Sequence, residues 1–170
     1  CLHGGTSGWM YQVYDAVQPN DSTLKLSIVS PDGDNGFPGT VKATATYTVL
    51  SDNTLDIKFE ATTDKETIIN MTNHSYFNLN GDPSKPGTNM ILYVNADKFT
   101  PTDSTYMTTG EILPVFSSPF DFRKPRALYT TIDDTTNYLI KNAQGYDHNW
   151  CLNTYKNGKG DDTKVCASLY

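Results

Sequence analysis

The scarce histidines of this chain are its clearest candidates for chemistry. Among 170 residues only His3, His74 and His148 are present, and each lies among polar, glycine or aromatic residues rather than in an apolar run. An imidazole can give or take a proton near neutral pH because its ordinary pKa is about 6.5. These three positions are therefore the candidates for acid–base catalysis. The residues around each histidine indicate whether it is catalytic or structural.

His74 lies in the segment Asn-His-Ser-Tyr-Phe-Asn-Leu at positions 73–79, which ends at a turn formed by Asn80 and Gly81. The segment belongs to a β-rich run, residues 67–77, yet it is polar where a buried strand should be apolar. Polar groups on a buried strand cost free energy unless they are hydrogen-bonded. The pattern indicates a strand that presents an imidazole to a cleft, or a structural histidine and asparagine that hold a loop.

A second cluster, residues 145–150, places Asp147 and His148 among an amide and two aromatic side chains. Aromatic rings stack on the C–H faces of sugars, and carboxylates and amides bind their hydroxyl groups. On a strand, neighbouring side chains face opposite sides, so Asp147 shares one face with Asn149, and His148 shares the other face with Trp150. We expect Asp147 to face the ligand and His148 to be structural; a well-packed aromatic strand is the alternative.

The third cluster is the loop at residues 2–9, in which three glycines surround His3 and allow close approach of the backbone to a ligand. An ordinary surface turn explains it equally well, and its spacing is not that of a nucleotide-binding loop. Three histidines could bind zinc, but His148 should point away from the Asp147 side of its strand. We therefore expect no metal site.

The elements that must position these residues are mostly strands. Apolar and polar residues alternate along residues 23–30, 41–49 and 55–61, and the last two runs are joined by a short turn. Further β-rich runs cover residues 90–94, 147–152 and 164–169, and residues 133–143 are the best candidate for a helix. The pattern predicts an all-β protein, an antiparallel β-sandwich.

Composition excludes several classes of partner. Acidic residues outnumber basic ones by 19 to 13, the formal net charge is −6, and Arg123 and Arg126 are the only arginines. Binding of nucleic acid or of an anionic membrane surface needs clustered lysine and arginine, so neither partner is expected. Three cysteines without a CxxC pair indicate no disulfide framework, and the spacing leaves a bridge between Cys151 and Cys166 undecided.

The three clusters, in this order, resemble the aldose 1-epimerase family. Residues 2–9 resemble its His-Gly-Gly loop, residues 72–79 match its most distinctive motif almost letter for letter, and residues 145–152 resemble its aspartate motif. Shorter segments also resemble the family: residues 36–39, 47–50 and 120–123. The matches run from Leu2 to Leu152, which is nearly the whole chain.

The resemblance implies a large β-sandwich, catalysis without a cofactor, and a free aldohexose such as galactose or glucose whose α and β anomers are interconverted. By motif, His74 matches the general acid that protonates the ring oxygen, and His3 matches a second active-site histidine that hydrogen-bonds the sugar. Asp147 matches a carboxylate that binds sugar hydroxyls, and we assign Asn73 and Tyr76 to sugar binding with it.

Two expected residues have no match: an arginine upstream of His3 and the general-base glutamate expected beyond Tyr170. We therefore expect a single domain over residues 1–170 that is incomplete at both ends, and low activity of this chain on its own. The oligomeric state stays open. The family resemblance favours the cytoplasm, whereas the glycosylation sequon at Asn20 leaves a secreted form as an alternative.

Two other functions share much of this pattern. A non-catalytic carbohydrate-binding β-sandwich would have the same aromatic content and acidic charge, but it would not need two converging histidines. A hexose-6-phosphate 1-epimerase should offer a basic pocket for the phosphate, for which only Arg123 and Arg126 are obvious donors.

Overall fold

The computed structural model describes residues 2–170, the side chain of Leu2 excepted, and divides into two compact units, Cys1–Ser75 and Tyr76–Tyr170. Within the described residues, no helix is long and apolar enough to cross a membrane. In chain order the strands and the α-helix are β1 (Asp15–Asn20), β2 (Thr23–Ser30), β3 (Val41–Val49), β4 (Leu55–Thr63), β5 (Ile91–Val94), β6 (Ala96–Thr100), β7 (Leu113–Pro114), β8 (Arg126–Ala127), α1 (Tyr138–Ala143), β9 (Asn149–Leu152), β10 (Tyr155–Lys156), β11 (Lys159–Gly160) and β12 (Ala167–Leu169). Short 3-10 helices cover Leu2–Gly4, Trp9–Tyr11, Asp34–Gly36, Gly87–Asn89 and Leu128–Thr130.

The first unit is built on one antiparallel sheet in which β1, β2, β3 and β4 lie side by side in sequence order. The apolar and polar residues that alternate in the sequence lie on opposite faces of this sheet. Leu26, Ala45 and Phe59 lie opposite one another across β2, β3 and β4, while Ser27 and Thr44 pair one position further along, on the other face. One face of the sheet is therefore apolar and the other is polar.

The turn between β3 and β4 is the one that the sequence predicts. Asn53 adopts a left-handed backbone conformation with φ 65°, which asparagine tolerates better than most residues. The Asn53 amide donates to the Leu50 carbonyl, and the Thr54 amide donates to the Asp52 carboxylate. These local bonds fix the register of the whole hairpin.

The second unit contains small antiparallel sheets. β5 lies between β12 and β8, β6 lies between β7 and β9, and β10 pairs with β11. The helix α1 is shorter than the predicted run of residues 133–143, because Asp134 forms a turn by accepting from the Thr136 amide. The Asn137 side chain then begins the helix by accepting from the amides of Leu139 and Ile140.

The core of the second unit is aromatic. Phe99, Val115, Phe120 and Ile140 form one buried cluster, and Val94, Ala96 and Phe122 form another. Tyr146 and Trp150 pack against both clusters, and the Trp150 Nε1 donates to the Phe120 carbonyl at 3.0 Å. The aromatic side chains of β9 and of the residues before it thus hold the two clusters together. Cys151 and Cys166 are both free thiols, so the bridge that their spacing left undecided is not formed.

His148 belongs to this core. Its ring lies 4.5 Å from the Phe120 ring and 6.1 Å from the Phe99 ring, centroid to centroid. Its Nδ1 accepts from the Asp147 backbone amide at 3.3 Å, and its buried Nε2 has no hydrogen-bond partner among the described residues. Because Nδ1 faces a donor, the ring is suited to the neutral form with its proton on Nε2.

Replacing Phe120 should destabilise the chain far more than replacing Phe116. Phe120 is 0% exposed, and Phe120→Ala would leave a cavity that costs about 3–5 kcal/mol of unfolding free energy. Phe116 is 71% exposed, so Phe116→Ala should cost less than about 1 kcal/mol. Urea unfolding followed by tryptophan fluorescence measures both changes, and equal losses would contradict the placement of Phe120 in the core.

Acid should destabilise the chain through His148. Burial among aromatic rings lowers the pKa of His148, and the Asp147 carboxylate opposes that effect only in part. In the unfolded chain the imidazole has its ordinary pKa of about 6.5, so on acidification the unfolded state takes up this proton first. The contribution to stability is therefore complete above about pH 6.5 and is lost as the pH falls from there through the lower folded pKa.

Thermal unfolding at about pH 7.5 and about pH 5.5 tests this titration. His148→Leu keeps an apolar side chain in the cluster and removes the ionisable group, so it should lose less of its melting temperature on acidification than the unmodified chain. His3 and His74 remain in both proteins, so the difference between them isolates His148. An equal loss in both proteins would show that another group carries the acid sensitivity.

Candidate functional site

His3 and His74 come together in the first unit. Their ring centroids are 5.7 Å apart and the ring planes are nearly perpendicular, at 84°. Both residues are exposed, and both line an open cavity of about 690 Å³. A cavity of that size is in the range of small-molecule binding sites. Two imidazoles from residues 71 positions apart in sequence thus share one cavity, which gives the first unit paired groups that can donate and accept protons.

The floor of the cavity is the apolar face of the sheet, and the segment that carries His74 forms one wall. The wall consists of residues 67–74, and the loop around His3 lies at the same opening. Aromatic and polar side chains line the cavity together: Trp9, Tyr14, Phe37, Tyr47, Phe59, Ser30, Asp34, Asn35 and Asn73. This mixture of rings and hydrogen-bonding groups is what the binding of a sugar requires.

The wall differs from the prediction. The sequence predicts β structure over residues 67–77, but the structure has no strand there. A β-branched sequence forms a strand only where a partner strand is available, and none of the described strands pairs with this segment. The prediction is therefore wrong for the backbone of this segment, and residues 67–74 line the cavity as irregular chain that carries His74.

Asn73 is held by its own side chain. Its Nδ2 donates to the Tyr47 hydroxyl at 3.2 Å, and its Oδ1 accepts from the Ser75 backbone amide at 3.0 Å. Burial raises the pKa of Tyr14, and the neighbouring Tyr47 raises it further. Tyr14, Tyr47 and Asn73 all line the cavity. Sequence reasoning did not select Tyr47 or Tyr14, although a tyrosine on the apolar face of a strand is a detectable signal, since its hydroxyl needs a polar partner there.

The loop that carries His3 adopts a backbone that few residues favour. His3 has φ 52°, and Gly4 and Gly5 have φ 85° and 100°. At Gly8 a Cβ atom would clash with the His3 carbonyl oxygen, so this position requires glycine. The loop is fastened by Ser7, whose hydroxyl donates to the Asn35 Oδ1 at 3.0 Å. The glycines that the sequence displays are thus needed to shape the loop.

Asn35 is in turn held by the loop before β3. Its Nδ2 donates to the Asp34 Oδ1 at 2.9 Å, and the Ser30 hydroxyl donates to the Asp34 Oδ2 at 2.7 Å. Ser30 is the last residue of β2. A chain of hydrogen bonds therefore runs from the sheet through Asp34 and Asn35 to the loop of His3.

Asp147 and Tyr76 lie in the second unit, and their part in sugar binding stays a prediction. Asp147 and Asn149 are exposed while His148 and Trp150 are half-buried, which is the alternation expected for this segment. Regular strand pairing begins only at Asn149. In the described part of the chain, no group of three or more histidine, cysteine, aspartate or glutamate side chains is arranged to hold a metal ion.

Comparison with known proteins gives a consistent answer. The family model described as aldose 1-epimerase matches residues 1–169. The aldose 1-epimerase of Escherichia coli K12 is 36% identical over 171 residues, which cover 99% of this chain and 47% of the bacterial protein. The galactose mutarotase of Sus scrofa is 38% identical over 169 residues, with coverage of 99% and 46%. This chain thus spans about half the length of these curated relatives.

A solved structure agrees. The crystal structure of galactose 1-epimerase from Lactobacillus acidophilus NCFM superposes with a TM-score of 0.86 at 30% sequence identity, covering 100% of this chain and 48% of that one. The all-β, antiparallel sandwich class predicted from the sequence is confirmed by this similarity and by the antiparallel pairing of every described sheet. On the family match, the sequence identity and the fold together, the chain belongs to the aldose 1-epimerase family.

Proposed function

We propose that this chain carries the acid side of a sugar-anomer interconversion, the reaction named in its relatives. The observation that supports this most directly is the pair of imidazoles, His3 and His74, over a cavity with aromatic and hydrogen-bonding walls. A binding module would need the walls but not two adjacent groups that can exchange protons. The pair therefore favours catalysis over binding alone.

In this proposal His74 donates a proton to the ring oxygen of the hexose while a base removes the proton from the anomeric hydroxyl. The bond between C1 and the ring oxygen breaks, the open-chain aldehyde forms, rotation about C1–C2 exchanges the two faces of the carbonyl, and the ring closes again. His3 and Asn73, which line the cavity of the first unit, hydrogen-bond the sugar. No residue of this chain matches the family's general-base glutamate, so the chain supplies the acid and the binding groups.

The substrate is a free hexose such as galactose or glucose. The described residues that line the cavity include no lysine or arginine, and Asp34 adds a carboxylate. A 6-phosphate group would need cationic donors and would be repelled by that carboxylate. The lining therefore favours an uncharged sugar over a hexose 6-phosphate, which was the alternative left open by the sequence.

Polarimetry of freshly dissolved α-galactose tests the proposal, because its optical rotation drifts only slowly without a catalyst. The chain continued with its native downstream residues should speed the drift, and the 170-residue chain alone should speed it little. His74→Ala in the longer form should reduce the acceleration by about 10²–10⁴-fold, the usual size of a general-acid contribution. Galactose 6-phosphate should be a much poorer substrate.

The matched control for that experiment is His148→Leu at about pH 7.5, where His148 is neutral and structural. His148→Leu should retain the acceleration, because it leaves His74 in the cavity. His74→Ala removes that histidine. Full activity of His74→Ala would contradict the assignment of His74 as the general acid. Equal acceleration by the short and the long forms would show that the base lies within these 170 residues.

A further inference from the structure

Tyr47 links the sheet to the wall of the cavity. It lies on the apolar face of β3, opposite Leu24 on β2 and Ile57 on β4, and it is half-buried. Its hydroxyl oxygen is 3.2 Å from the Asn73 Nδ2. Asn73 immediately precedes His74, so this hydrogen bond is made next to the residue proposed as the acid.

The direction of this hydrogen bond follows from the other partner of Asn73. A backbone N–H can only donate, so the atom of Asn73 that faces the Ser75 amide at 3.0 Å must be the oxygen Oδ1. The nitrogen Nδ2 must then face Tyr47, and the Tyr47 oxygen accepts. The amide orientation is thereby fixed by two bonds.

Two hydrogens remain unused after these bonds are counted. An amide nitrogen carries two hydrogens and only one is directed at Tyr47, and Tyr47 keeps its own hydroxyl hydrogen because its oxygen is the acceptor. Among the described residues, neither hydrogen has a protein acceptor. Both side chains line the cavity, where an oxygen-rich ligand can accept from them.

The wall needs such a fastening. Residues 67–75 form no backbone–backbone hydrogen bond with the sheet in the described part of the chain. Since strand pairing does not hold this segment, side-chain bonds such as that of Asn73 must set its position over the sheet. β3 is the appropriate anchor, because it is paired on both sides from Val41 to Thr48.

We propose that Tyr47 is a positioning residue of the sugar site. Its hydroxyl oxygen orients the Asn73 amide, so that the second N–H of Asn73 points to a hydroxyl oxygen of the bound hexose, and it sets the backbone from which His74 extends. This inference rests on the proposed function, since the ligand it invokes is the free hexose. It adds a residue to which the family resemblance assigned no role.

Galactose titration of the full 170-residue chain, followed by NMR, tests this role without requiring turnover. Tyr47→Phe removes only the hydroxyl, and we expect the Kd for galactose to rise about fivefold, the size of one hydrogen bond between neutral groups. Asn73→Ala should weaken binding at least as much. In the Asn73→Ala background, adding Tyr47→Phe should change the Kd no further, because the two residues act as one unit.

Thr44→Val is the matched control. Thr44 lies on the same strand but on the opposite face, where its hydroxyl shares a 3.0 Å hydrogen bond with that of Ser27. Both variants lose one hydroxyl that bonds a side chain, so both should lower the denaturation midpoint to a similar extent. Only Tyr47→Phe should change the Kd, which separates positioning from a merely structural role.

The outcomes distinguish the two proposals. If the unmodified chain does not bind galactose, the proposed function is overturned and this inference with it. If it binds, and Tyr47→Phe binds equally well or weakens binding additively with Asn73→Ala, only the inference is overturned. Should Tyr47→Phe fail to fold, the side-chain amide resonances of Asn73 decide: galactose must shift them in the unmodified chain, and unshifted resonances overturn the inference.

Discussion

The hydrogen bond from Asn73 to Tyr47 joins the two parts from which the cavity of the first unit is built. One part is a regular antiparallel sheet whose apolar face forms the floor. The other is an irregular segment that carries polar side chains across that face, and polar groups placed there must find partners or cost free energy. The Asn73 side chain finds such partners in Tyr47 and the Ser75 backbone amide. The bond to Tyr47 therefore satisfies a partly buried polar group and locates the neighbouring histidine.

The loop of His3 is also irregular chain that must be held in position over the sheet. Its backbone departs from the conformations that most residues favour, with a positive φ at His3 itself, and such a residue persists only where its surroundings hold it. The hydrogen bonds from Ser30 through Asp34 and Asn35 to Ser7 provide that support. Both histidines thus stand on irregular chain, and in both cases side chains rather than strand pairing connect that chain to the sheet.

The regular parts of this fold could be read from the sequence, and the irregular parts could not. The alternation in β2, β3 and β4 predicted their bounds closely, because one face of the sheet is apolar and a shift of one residue would reverse it. The β-rich composition of residues 67–77 predicts β structure there. Propensity carries no information on whether a partner strand exists, and here none of the described strands pairs with it.

The candidate site shows the same division. The sequence identifies the histidines because histidine is rare here and lies in motifs that resemble a family, whereas residues 47–50 resemble the family without indicating any role for Tyr47. Its role depends on a contact 26 residues away in sequence, which a pattern of period two cannot contain. The predicted alternation around Asp147 did place His148 with the packed side chains. Strand alternation is a local rule and could be applied to the sequence. The contact between Asn73 and Tyr47 is a tertiary contact, which no local rule predicts.

The three histidines end in environments that suit opposite purposes. The half-buried His148 ring packs against two phenylalanine rings, its pKa is lowered, and its Nε2 has no partner among the described residues, so charging it works against the fold. A residue in that position is poorly suited to act as a general acid near neutral pH, because burial disfavours its protonated form. His74 and His3 instead are exposed at an open cavity, beside groups that can hold a ligand. There, solvent and substrate can reach both imidazole rings.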